Sequence, residues 1–169
     1  MIDVGSHGIL THQADLTGGL RLAQVGLDNG IVCNQSHAPF PTYCPDMYDY
    51  LLRAIECTAI AGGKVCVIHP DNCHGVKENL ALYEKLLPFA KDHGVKIATE
   101  NMWNWDNGSP TSTPAACSTS ASFLAHLNAV NDPSLVACLD LGHAEMKGSG
   151  SGAVNMIRAL GTHLQALHI

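Results

Sequence analysis

Short apolar runs recur along this chain, and each is followed by a segment whose apolar residues keep a helical spacing. Residues 30–40 (GIVCNQSHAPF, running into a proline-containing loop), 64–70 (KVCVIHP), 95–102 (VKIATENM), 135–144 (LVACLDLGHA) and 164–169 (LQALHI) read as strands. Their nearly unbroken apolar character fits strands covered on both faces, as in a parallel sheet. Residues 2–4 (IDV) read as the end of one more. Between them, Leu16, Leu20, Leu22, Val25 and Leu27 predict a helix over 14–28, ended by Asn29-Gly30. Met47, Leu51, Ala54, Ile55 and Ile60 predict a second, with Asp46 as its N-cap and Gly62-Gly63 as its stop. A third is predicted over 79–94, with a kink or break at Pro88. A fourth is expected over 115–130 and a fifth over 153–163. The stretch WNWDNGSPTSTP is expected to be irregular, and KGSGSG a flexible loop.

Six strands and five intervening helices result, and a helix in every connection makes neighbouring strands parallel. The expected fold is α/β, a partial TIM (β/α)8 barrel. Such a barrel takes about 250 residues, and the chain has 169. Residues 1–169 are therefore expected to form a single incomplete barrel domain, a fragment lacking the first strand–helix unit and the last strand. An open arc of strands would expose two sheet edges, so association is expected.

Polar residues close these strands. His37, His69, Glu100, Asp140 and His168 each end an apolar run, and His143 follows Asp140 by three residues. The steps between the five are 32, 31, 40 and 28 residues, about one strand and one returning helix each. Strand C-termini are where a parallel α/β barrel keeps its chemistry. His, Glu and Asp are the donors of divalent-metal sites. The same residues would serve a structural role if each were hydrogen-bonded to a neighbouring loop. His37 and His69 suit pocket lining equally well.

Composition narrows the classes. The chain is 46% hydrophobic and 14% charged, a soluble globular balance. No apolar run approaches the roughly 20 residues of a membrane span, and the N-terminus lacks the pattern of a signal peptide. A net charge of −6 argues against a broad nucleic-acid surface. Seven cysteines, an odd number without a C-x-x-C pair, fit a reducing, cytoplasmic setting. Cys33, Cys66 and Cys138 are read as small hydrophobes inside strands. Cys73-His74 is read as part of a polar loop rather than a metal site.

HAPF (37–40), VIHP (67–70), ATENM (98–102), CLDLGHA (138–144) and ALHI (166–169) together resemble the sugar phosphate isomerase/epimerase family. These are the xylose isomerase-like TIM barrels, related to endonuclease IV. The resemblance implies a divalent metal (Mn2+, Mg2+, Co2+ or Zn2+) held by Glu100, Asp140 and His168 or the next histidine, with a further Glu on the eighth strand. It implies a metal-dependent isomerase or epimerase of a sugar, sugar phosphate or polyol. The reaction takes a proton from carbon next to a carbonyl, through a metal-stabilised enediolate. Glu100 and His143 would be catalytic, and His37, His69, Trp103 and His143 would line the substrate, with Trp105 a second candidate for the wall. The partner implied is a small-molecule sugar, with no nucleic acid or membrane and with possible homo-oligomers. Two alternatives share these residues: an endonuclease IV-like zinc phosphodiesterase, and an inosose dehydratase-like lyase.

Overall fold

The computed structural model describes residues 17–72, 74–105, 107–108, 110–148 and 150–169. Seven strands are described: β1 (Gln35–His37), β2 (Val65–Val67), β3 (Lys96–Glu100), β4 (Asn104–Trp105), β5 (Ser112–Thr113), β6 (Leu135–Asp140) and β7 (Leu164–His168). Five of them form one parallel sheet in the order β1-β2-β3-β6-β7. Neighbours in the sheet are neighbours in sequence except across one insertion, as expected of a right-handed strand–helix succession. The helices are α1 (Thr17–Asp28), α2 (Met47–Ile60), α3 (Val76–Asp92), α4 (Ser120–Val130), α5 (Leu141–Glu145) and α6 (Ala153–Leu160). This is half of a TIM barrel. The strand expected at residues 2–4 lies outside the described residues.

Alternation along the strands sorts side chains into two cores. One face packs on the helices through Leu51, Ile55, Ile68, Tyr83, Leu86, Ile97, Phe123, Leu139, Met156 and Leu160, all at most 1% exposed. Each such residue contributes about 2 kcal/mol by leaving water. The other face is the barrel interior, where small residues meet: Val65, Val67, Ala98, Val136, Cys138 and Ala166. A bulge in the β6–β7 pairing lets β7 keep this pattern. Ala137 pairs with Leu164, but Cys138 pairs with Ala166, so Gln165 is the extra residue. His168 thereby comes level with Asp140 on the inner face.

Several local expectations are refined. Asp46 precedes α2 in a left-handed conformation and makes no side-chain cap bond. α3 runs through Pro88 without ending. α4 begins at Ser120, where Thr119 and Ser122 form a reciprocal capping box. The stretch after Glu100 is not wholly irregular, since β4 (Asn104–Trp105) and β5 (Ser112–Thr113) pair antiparallel. The strand expected to run to residue 144 stops at Asp140, and Leu141–Glu145 is helical. Asp140 causes the change, because its Oδ1 accepts the His143 backbone N–H at 2.7 Å and caps the new turn.

Among the described residues, no helix is long and apolar enough to cross a membrane. Between β1 and β7 a cavity of about 690 Å³ is lined by Ile31, Val32, Leu164, Ala166 and Leu167, among others. Gln35 Nε2 reaches across it to the Leu167 carbonyl at 3.0 Å.

Candidate metal centre

All five parallel strands point their C-terminal ends at one place. His37 ends β1, Glu100 ends β3, Asp140 ends β6 and His168 ends β7. His69 lies two residues beyond β2, and the α5 turn carries His143 back toward Asp140. Glu100, 1% exposed, is the hub. Its Oε2 lies 3.0 Å from His168 Nδ1, 3.5 Å from His69 Nε2 and 3.7 Å from His37 Nε2. Its Oε1 lies 3.5 Å from His143 Nδ1. Asp140 Oδ2 stands 3.8 Å from His168 Nδ1 and 3.9 Å from His143 Nδ1. Every residue singled out from the strand ends is therefore in one cluster.

Hydrogen bonds fix the tautomers. His37 Nδ1 lies 2.7 Å from the Ala38 carbonyl, which can only accept, so Nδ1 carries the proton. His37 Nε2 faces the centre and lies 2.8 Å from His69 Nε2. His143 Nδ1 likewise donates to the Asn101 carbonyl at 2.9 Å. Burial pushes the His69 imidazole below its usual value, against the pull of Glu100. Burial alone would raise the Glu100 carboxyl. The imidazoles of His168, His37 and His69 outweigh it and hold that carboxyl well below the usual carboxylate range.

These donors fit a divalent cation. Glu100 Oε2 is buried and makes no hydrogen bond of regular geometry, although three imidazole nitrogens face it. Ligands about 2.1 Å from a common ion stand roughly 3.0–3.5 Å from one another, close to the separations seen here. Among the described residues, three groups have their donor atoms within 4.8 Å of one another: His37–His69–Glu100, Glu100–Cys138–His168 and Glu100–Asp140–His143. Cys138 is the weak member. Burial, reinforced by Glu100 and Asp140, pushes its thiol far above the usual range, so it stays protonated.

Aromatic rings stand on two sides. Trp103 has its ring centroid 6.2 Å from that of His143, and Phe40 lies 4.8 Å from His69 and 5.8 Å from His37. Trp105 packs edge-on against Trp103 and is 53% exposed. Phe40 was not foreseen as part of the site, although it closes the HAPF segment. Nor was Asn101, whose side chain bonds both backbone polar groups of Asp140. The only sequence signal for Asn101 is its place directly after Glu100. Cys73 lies outside the described residues, and His74 pairs with Asp71 at 2.5 Å, away from the cluster's donor groups.

Comparison with curated proteins gives no match. Solved structures with the same fold include a D-tagatose 3-epimerase-like protein, with a TM-score of 0.77 at 19% identity over 99% of this chain. They also include a D-psicose 3-epimerase (TM-score 0.74, 16% identity, 99% of this chain). A third is the D-allulose 3-epimerase from Methylomonas sp. (TM-score 0.67, 18% identity, 87% of this chain). The chain spans 66%, 61% and 55% of those proteins' own lengths, respectively. At these identities the likeness is one of fold. The model of the xylose isomerase-like TIM barrel family matches residues 37–169, which include all six clustered polar side chains, and the chain belongs to that family.

Proposed function

We propose that this chain carries the metal centre of a sugar isomerase or epimerase that exchanges a proton on carbon next to a carbonyl. One observation carries the proposal: a buried carboxylate, Glu100, is ringed by His37, His69, His143 and His168 with Asp140 alongside, at the C-terminal ends of a half-barrel. The likeness to sugar 3-epimerases supports the reaction class.

Glu100, Asp140 and His168 would hold the ion. Bound there, Mn2+, Mg2+, Co2+ or Zn2+ would act as a Lewis acid toward the substrate's carbonyl and hydroxyl oxygens. Glu100 stays ionised across the physiological range and so offers a carboxylate to the proton. His143, with Nδ1–H held by Asn101, keeps its ring beside both carboxylates to meet a sugar hydroxyl. Trp103 and Phe40 would present apolar faces to a sugar and limit water.

A second reading has its own observation. Glu100 belongs at once to a His37–His69 group and to an Asp140–His143 group, an arrangement that could hold more than one ion, as in a zinc phosphodiesterase. Elemental analysis of the purified chain and of Glu100→Ala separates the two. About one ion per chain, lost in the variant, supports the isomerase or epimerase. About three would favour the phosphodiesterase. No ion under saturating Mn2+ or Zn2+ would end both readings.

A further inference from the structure

Asn101 is 1% exposed and lies between the ends of β3 and β6. The last paired residues of those strands are Glu100 and Cys138. One step further, the side chain of Asn101 acts as a peptide group would. Its Nδ2 donates to the Asp140 carbonyl at 3.0 Å, and its Oδ1 accepts the Asp140 N–H at 2.8 Å. The amide thus adds one rung to the β3–β6 ladder where the strands would otherwise part. The main-chain carbonyl of Asn101 accepts the Nδ1–H of His143 at 2.9 Å. Asp140 in turn receives the His143 backbone N–H at 2.7 Å.

We infer that Asn101 is the positioning residue of the metal centre: its side chain sets the separation of the Glu100 and Asp140 carboxylates and, by fixing its own main chain, keeps the Asn101 backbone carbonyl where it holds His143 as its Nδ1–H tautomer. Both carboxylates sit on backbone that this clamp ties together. Glu100 is its covalent neighbour, and Asp140 is hydrogen-bonded at both peptide groups. The inference rests on the metal-centre reading above, but its geometry concerns only residues of this chain. An amide is required because the rung needs one donor and one acceptor in a single plane. Aspartate supplies no donor, leucine supplies neither, and glutamine is one methylene too long.

The test uses Asn101→Leu and Asn101→Asp. Mn2+ affinity is read by calorimetry, and the His143 tautomer is read by ¹⁵N–¹H NMR of the metal-free, histidine-labelled chain. Loss of outer support for metal ligands costs about 10- to 100-fold in affinity. That loss is expected in both variants, together with a shift of His143 toward its Nε2–H form. Asn101→Asp makes the test sharp. A residue acting only through charge would draw a cation more tightly when made acidic, whereas a broken clamp weakens binding. Affinity in Asn101→Asp within about twofold of the parent, or tighter, with the His143 tautomer unchanged, would overturn the inference. If the parent itself binds no Mn2+, the metal-centre reading fails separately, and an unchanged tautomer would still refute the clamp.

Discussion

At the scale of single residues, environment rather than type decides what each acidic group does. Asp132 shows this away from the site. Its Oδ2 pairs with Lys91 Nζ, and its Oδ1 accepts the Ser134 N–H at 2.9 Å. The Lys91 ammonium, with a lesser part from Ser134, holds the Asp132 carboxyl below its usual range, against a slight burial penalty. A carboxyl with a lowered folded pKa adds stability above its unfolded value, about 3.9. That stability is lost as the pH falls through the folded value. Lys91 is 47% exposed, so solvent screens the pair, and Asp132→Asn should cost less than about 1 kcal/mol at pH 7. In urea melts the gap between parent and variant should close as the pH drops below the usual aspartate range. A gap that persisted at low pH would show that the pair is not its source. Glu100 stands at the other extreme, enclosed and faced by four imidazoles, where the same carboxylate chemistry serves to collect a cation.

At the scale of elements, strands buried on both faces could be read from the chain because each is an apolar run closed by a polar residue. That is why five of the six clustered side chains could be named from the strand ends, with His143 added by its place three residues after Asp140. The elements that escaped notice depend on distant partners. β4 and β5 are two residues each, too short for any periodicity. They are held by contacts far along the chain. Asn72 Nδ2 donates to the Trp103 carbonyl at 2.9 Å and to Asn104 Oδ1 at 2.7 Å, while Ser112 N–H donates to the Lys147 carbonyl at 2.8 Å. The α5 turn was hidden because CLDLGHA continues the apolar run of β6, and only the Asp140 cap ends it. The glycine-rich segment after α5, expected to be a flexible loop, is in part a brace. Gly148 has φ +97°, and a Cβ there would lie 2.1 Å from the Ser112 carbonyl oxygen. Gly148→Ala should therefore separate the brace from the hairpin, at a cost of about 1–3 kcal/mol. Because Trp103 and Trp105 are the only two tryptophans, their emission should shift to the red while the metal content stays that of the parent. Unchanged emission would mean that the hairpin holds its place without this contact.

At the scale of the whole molecule, the centre ties every strand of the half-barrel at one end. His37, His69, Glu100, Asp140 and His168 come from β1, the segment after β2, β3, β6 and β7. Packing two carboxylates and four imidazoles into so little space removes them from water, which opposes folding unless the groups satisfy one another. The unfolded chain cannot bring together donors spread from residue 37 to residue 168. A cation that binds only the folded form must therefore stabilise it, by about 2.7 kcal/mol at a hundredfold excess over Kd. For a chain of this length each kcal/mol moves the midpoint by about 2–4 °C. Saturating Mn2+ should accordingly raise the melting temperature by roughly 5–10 °C, and EDTA should reverse the rise. Glu100→Ala should abolish the response, because it removes the one ligand shared by every donor group. A metal-dependent rise that survived in Glu100→Ala would place the ion elsewhere, and no rise in the parent would mean that the six side chains satisfy one another without it.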